Sequence, residues 1–240
     1  MKIGVIGDIH GNLEALTAVM EALEAEHVDE VSCVGDVVGY GADPGACIEV
    51  VRSRCGQVVA GNHDWGAVGK QAADYFNAAA REALGWTTDR LSNEERRWLS
   101  GLPLTAETEQ YALVHASFHN AGSFPYIFNP EDAGPGFARQ SRDVAFFGHT
   151  HWPSTFLGGE PVRHLIQRVV PVESPGKVLV NVGSVGQPRD SDPAAGYVVF
   201  DTKRRRISLK RVSYDVATAA GKIVKAGLPT VLAERLFLGH

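Results

Sequence analysis

Apolar and polar positions alternate in two rhythms along the first third of this 240-residue chain. Three short apolar runs, "KIGVIG", "EVSCVG" and "QVVAG", each close on a glycine and then a polar residue, Asp8, Asp36 and Asn62. Between the first two, Leu13, Leu16, Met20 and Leu23 recur at steps of three and four, the spacing of one helix face. Asp43 and Pro44 offer a cap and a first helical position for a second helix. The pattern predicts βαβαβ, hence parallel strands joined by helical crossovers.

From about residue 65 to 101 the pattern is helical, with Ser92 and Glu95 spaced as a capping box ahead of Trp98 and Leu99. Strand-like runs follow: "YALVHA", "VAFFGHTH", "VRHLIQRVV", "KVLVNVG", "GYVVFD" and "RISLKRVSY", separated by Gly and Pro turns. The stretch from Asp215 to Leu238 is amphipathic and predicts one or two helices. Residues 118–142 break the pattern. They form a long Gly- and Pro-rich segment carrying Phe124, Tyr126 and Phe128, read equally as a binding lid or as a surface loop anchored by its aromatics. The length suits one α/β domain spanning 1–240.

Composition narrows the function classes. The formal net charge is −5, which argues against a nucleic-acid-binding surface. The one dense basic run, Lys203 to Arg206, lies between two alternating segments and reads as a solvated hairpin turn. Cys33, Cys47 and Cys55 show no C-x-x-C spacing and are odd in number, which fits a reducing compartment. No leader-like apolar core precedes Asp8, and no uncharged apolar run reaches the roughly 20 residues of a membrane span. The expectation is a soluble cytoplasmic protein.

The chemistry lies at strand ends. Side chains just past the carboxyl ends of parallel strands converge on one crevice. The steps from Asp8 to Asp36 and from Asp36 to Asn62 are 28 and 26 positions, close to the roughly 30 residues of one βα unit. Two further clusters end later runs, His115 after "YALV" and His149 with His151 after "VAFFG". Asp8, His10, Asp36, Asn62, His115, His149 and His151 form a nitrogen and oxygen donor set without thiolate, suited to Mn²⁺, Fe, Zn²⁺ or Ni²⁺. Seven donors exceed the needs of one ion that keeps open positions, but serve two ions about 3.5–4 Å apart. His119 and His164 fall outside the pattern and read as structural; His27 and His240 read as exposed.

In order, "GDIH", "GDVVGYG", "GNHD", "VHA" and "GHTH" resemble the motifs of calcineurin-like metallophosphoesterases, in particular their small bacterial and archaeal members. "NVGSVGQPRD" resembles a further segment of that family. The resemblance implies a four-layer αββα sandwich, two mixed sheets flanked by helices. It implies that Asp8, His10, Asp36 and His151 hold one ion, that Asp36, Asn62, His115 and His149 hold the other, and that His63 faces the substrate. The reaction implied is hydrolysis of phosphate mono- or diesters by a hydroxide shared between two divalent ions, Mn foremost. Tyr40 stands where protein phosphatases and dinucleoside tetraphosphatases carry an Arg, which argues against both subclasses.

Within this reading His63 protonates the leaving oxygen or steadies its charge. Asp64 either orients the His63 ring or stabilises the turn. Arg189 is a candidate phosphate contact whose alternative is a surface pair with Asp190 or Asp192; Tyr40 either lines the pocket or packs the loop. Phosphoprotein or dinucleoside polyphosphate hydrolysis remains a variant activity of the same site, and a non-catalytic binding module on the same fold is the rival of another class. A serine hydrolase built on Ser184 lacks the G-x-S-x-G order, and "GYGADPG" lacks G-x-G-x-x-G.

Overall fold

The computed structural model describes residues 1–173 and 176–240. The predicted βαβαβ unit forms as β1 (Lys2–Ile6), α1 (Leu13–Ala25), β2 (Glu30–Cys33), α2 (Pro44–Arg54) and β3 (Gln57–Val58). β1, β2 and β3 pair in parallel, Ile6 against Cys33 and Cys33 against Val58. Asn12 caps α1 by accepting from Ala15 N at 3.1 Å. Asp43 occupies the cap position of α2, yet its carboxylate accepts from Lys222 Nζ at 2.7 Å instead of capping.

The helical middle resolves into α3 (Asn62–Ala67), α4 (Ala78–Arg90) and α5 (Asn93–Gly101). The Ser92/Glu95 capping box is present, with Ser92 N donating to Glu95 at 2.6 Å and Glu95 N to Ser92 Oγ at 3.2 Å. Then come β4 (Thr105–Glu107), β5 (Ala112–Val114), α6 (Pro130–Phe137), β6 (Val144–Phe147), β7 (Ser154–Leu157), β8 (Arg163–Leu165), β9 (Val169–Pro171), β10 (Val178–Asn181), β11 (Ala195–Asp201) and β12 (Arg206–Val212). The amphipathic end is two helices, α7 (Val216–Lys225) and α8 (Thr230–Leu238), broken at Gly227 and Pro229.

Two mixed six-stranded sheets result, ordered β3-β2-β1-β11-β12-β9 and β4-β5-β6-β10-β7-β8. Period-two alternation explains their stacking. Val178 and Val180 of β10 and Val144 and Phe146 of β6 point at Ile3, Val5 and Val198 of the other sheet. Leu179, Ala145 and Phe147 point the opposite way, onto Ala133 and Phe137 of α6. Helices α1, α2, α4, α5, α7 and α8 cover the outer face of the first sheet. The layers are therefore αββα, thin on the side of α6.

Two sequence expectations change. "VRHLIQRVV" is not one strand: β8 edges the second sheet and β9 the first, because the chain crosses between layers there and each piece pairs only three residues. Residues 118–142 are not structureless, since Asn129 caps α6 by accepting from Asp132 N at 2.9 Å. The turn at Lys203–Arg206 does close the β11/β12 hairpin, with Asp201 opposite Arg206.

Candidate metal centre

Every polar residue singled out at a strand end lies beyond the carboxyl end of a strand with a parallel partner: Asp8 after β1, Asp36 after β2, Asn62 after β3, His115 after β5 and His149 after β6. Backbone bonds interlock these ends. Ile9 and His10 N donate to the Asp36 carbonyl at 2.8 and 3.0 Å, and Gly148 N to that of His115 at 2.9 Å. Asp8, His10, Asp36, His149 and His151 all have φ between +50° and +69°, a region that costs side-chain-bearing residues about 1–3 kcal/mol each. Two glycines make the carboxylates fit: a Cβ on Gly61 would collide with Asp36 Oδ1, and one on Gly148 with Asp8 Oδ2.

The donors fall into two groups. Asp8, His10, Asp36 and His151 form one, and Asp36, His115 and His149 the other, with the donor atoms of each within 4.8 Å of one another. Asp36 belongs to both. Its Oδ2 stands 3.6 Å from His10 Nε2 and 3.4 Å from His115 Nε2, while its Oδ1 accepts from His63 N at 2.8 Å. Asn62 Oδ1 joins the second group, 3.2 Å from His115 Nε2.

The tautomers follow from the outer contacts. His10 Nδ1 faces the Val38 carbonyl at 3.1 Å, His115 Nδ1 that of Val34 at 2.8 Å, and His151 Nδ1 that of Gln187 at 2.6 Å. A carbonyl only accepts, so each Nδ1 carries a proton, and the Nε2 atoms of the neutral His10 and His151 rings turn their lone pairs inward. His10 and His151 Nε2 then meet lone pair to lone pair at 3.0 Å. Burial holds His10, His149 and His151 well below the ordinary imidazole range, so a proton does not relieve that contact. His149 Nε2 is buried without a partner. A divalent cation in each group satisfies all of these donors at once, and the donor set fits two such ions.

Burial, opposed by His115, raises Asp8 to about 7. Burial lowers His115, but the Asp36 and Asp8 carboxylates outweigh it and leave the ring at about 9. Both groups must shed protons to ligate. Affinity for Mn²⁺ is therefore expected to climb as pH rises from about 6 to 9, with protons released on binding. Calorimetry in buffers of different ionisation enthalpy reads that release; a pH-independent affinity would contradict it.

Asp64 takes the second of the two roles open to it. Its Oδ2 accepts from Asp36 N at 2.8 Å and Gly61 N at 2.9 Å, and its Oδ1 from Val37 N at 2.9 Å and Val38 N at 3.2 Å. It reaches back from the first turn of α3 to fasten the loop bearing Asp36, and His63 Nδ1 is left without a hydrogen-bond partner. Of the two readings, contact with the His63 ring and support of the turn, the four hydrogen bonds match the second. Asp64→Asn would set an amide NH₂ against buried N–H donors and is expected to cost about 2–5 kcal/mol, read as a shift in denaturant midpoint at unchanged slope.

The His63 ring packs against His10, Tyr40 and Phe76 with centroids 4.8, 4.5 and 4.9 Å away, and burial pushes it down to about 4. Arg189 is brought to the same wall. Its guanidinium donates to Tyr40 Oη at 3.3 Å and Gln187 Oε1 at 3.2 Å. Of the two alternative partners, Asp190 is paired with Arg211 and Asp192 accepts from Ala194 N. Among the described residues no carboxylate lies within 4.0 Å of the Arg189 guanidinium.

Three supporting residues were missed. Asn181 Nδ2 donates to the Gly148 carbonyl at 2.7 Å and Thr150 Oγ1 at 2.9 Å. Ser184 Oγ donates to the Asp8 carbonyl at 2.7 Å and accepts from Gln187 N at 2.8 Å, so this fully buried hydroxyl is a brace. Gln187 supplies the carbonyl behind His151. The only sequence signal was polar residues inside "NVGSVGQ", directly after a buried strand. His164 sits on β8 stacked against Phe156, outside the donor set.

Comparison with known proteins assigns the chain to a family. The calcineurin-like phosphoesterase superfamily domain matches residues 1–205. The chain belongs to that family. It is 40% identical to an uncharacterised protein of Methanocaldococcus jannaschii, over 99% of this chain and 98% of that one. A metallophosphoesterase of Sphaerobacter thermophilus is similar in structure, with a TM-score of 0.89 and 37% identity over 100% of this chain and 99% of that one. A hypothetical protein of Pyrococcus horikoshii shares the fold, with a TM-score of 0.79 at 19% identity, covering 100% and 98%. Membership makes a hydrolase of phosphoric esters the supported class. Among the described residues no helix is long and apolar enough to cross a membrane.

Proposed function

We propose that this calcineurin-like phosphoesterase hydrolyses phosphate mono- or diesters of small molecules with two divalent cations, Mn²⁺ foremost. Residues 1–240 act as one domain, and the free cysteines suit the cytoplasm. Asp8, His10, Asp36 and His151 hold one cation; Asp36, Asn62, His115 and His149 hold the other. The observation that carries the reading is the Asp36 carboxylate, whose Oδ2 faces imidazoles of both groups. When bound, such a pair supplies Lewis acidity to a phosphoryl oxygen and acidifies a water.

The chain's own side chains do the rest. Water attacks phosphorus in line with the departing alcohol. His63 is held in place by its peptide N–H on Asp36 and by three aromatic neighbours, and burial keeps the free ring neutral. Beside an anionic phosphate the ring gains affinity for a proton, which it gives to the leaving oxygen. Tyr40 occupies the place where protein phosphatases and dinucleoside tetraphosphatases carry an arginine, and holds Arg189 by its hydroxyl. Arg189 thereby brings a cation to the phosphate from a different part of the chain.

Turnover of a chromogenic phosphate ester after Mn²⁺ loading, lost on chelation and regained on reloading, tests the reading. Inertness toward mono- and diesters with both ions demonstrably bound would end it. Arg189→Ala is expected to raise KM about 10- to 100-fold, the worth of a charge-assisted contact, with metal content unchanged; equal KM values would remove Arg189 from the site.

A further inference from the structure

The aromatic segment before α6 divides its labour. Phe124 is buried against Trp65 and His115 and anchors the loop. Tyr126 and Phe128 are 47% and 60% exposed. Tyr126 lies flat on the His149 ring, with centroids 4.2 Å and planes 22° apart, and Phe128 lies flat on Tyr126 at 5.4 Å and 11°. A ladder of three nearly parallel rings thus leads outward from a metal-donor imidazole.

The ladder ends in a cleft of about 420 Å³ walled by Ile127, Phe128, Trp152, Leu165 and Ile166. Thr150, between His149 and His151 in the chain, lines the same cleft, so it opens beside the donor cluster. Trp152 and Ile166 are 55% and 93% exposed. Large apolar side chains left in water around one concavity mark a ligand groove, and the volume lies in the range of small-molecule sites, about 300–1,000 Å³.

We infer that this cleft is a subsite for the nucleobase of a nucleotide ester whose phosphoryl group occupies the metal centre, an inference that rests on the phosphoesterase reading. The ladder presents ring faces, and a flat aromatic guest continues an offset stack where a branched alcohol does not. A base has two apolar faces and a polar rim; the Ser154 hydroxyl and the His164 ring supply polar partners in the same lining. Arg189, with no carboxylate partner among the described residues, supplies the charge that the phosphate requires.

Adenosine monophosphate and ribose 5-phosphate carry the same phosphate ester and differ at C1, where the base is replaced by a hydroxyl, so their ratio of kcat/KM reads the subsite. The ratio is expected to exceed about tenfold and to collapse toward one in Phe128→Ala and Trp152→Ala, in keeping with the worth of one stacked base. Both side chains are more than half exposed, and retained melting temperatures verify folding. Saturation-transfer NMR with adenosine reads the same contact without turnover: base protons are expected to receive magnetisation from the wild type and lose it in Phe128→Ala. Adenosine contact without hydrolysis of any ester would uphold the subsite and end the phosphoesterase reading. A ratio of one with no adenosine contact would overturn the subsite alone. Phe128-dependent preference for phenyl phosphate over the nucleotide would overturn the base in favour of a simple aryl group. A Trp152-dependent dimer in sedimentation, with no base preference, would assign the cleft to a second copy of the chain and overturn it equally.

Discussion

Asp36→Asn is expected to abolish binding of both cations together and to lower phosphate-ester turnover by at least about 10³-fold. The substitution keeps shape and removes charge. The carbonyl oxygen of the introduced amide can still accept from His63 N, as Oδ1 does in the native protein, and the peptide N–H of residue 36 still reaches Asp64. What disappears is the anionic oxygen standing 3.6 and 3.4 Å from the His10 and His115 Nε2 atoms. Loss of a donor unique to one group, as in His149→Ala, leaves the other group's four residues intact and is expected to retain one ion. Elemental analysis of the purified variants checks this. Two ions per chain in Asp36→Asn would show that the groups do not share this residue.

His63→Ala should separate chemistry from metal content. The ring donates no atom to either group, so both ions are expected to stay while kcat falls about 10²- to 10⁴-fold, the usual worth of a positioned proton donor. Substrates with good leaving groups need that proton least and are expected to lose least. A Cβ on Gly39 would clash with His63 Nδ1, so the ring fills a shaped slot and its removal leaves a small void, costing stability without reaching the donors. If metal content falls as steeply as activity, His63 serves the centre's structure and not proton transfer.

The parallel half of each sheet was legible because buried parallel strands read as unbroken apolar runs and their loops carry the donors. The seven candidate donors stood out for that reason: each follows a strand whose end the composition marks. What escaped the sequence depended on pairing or direction. β4 and β7 are three and four residues long and owe their existence to neighbouring strands. β8 and β9 read as one run because periodicity says nothing about which sheet a strand joins. Asp64 offered two equal roles until its four N–H donors decided, and those come from residues 36–38 and 61, brought together only by folding. Phe124 and Phe128 are alike in sequence; one anchors the loop and the other faces solvent.

Anomalous diffraction from crystals soaked in Mn²⁺ tests the central claim most directly. Two peaks about 3.5–4 Å apart are expected on either side of the Asp36 carboxylate, one against His10 and His151 and the other against His115 and His149. A single peak at saturation, or two peaks that do not share Asp36, would contradict the dinuclear centre.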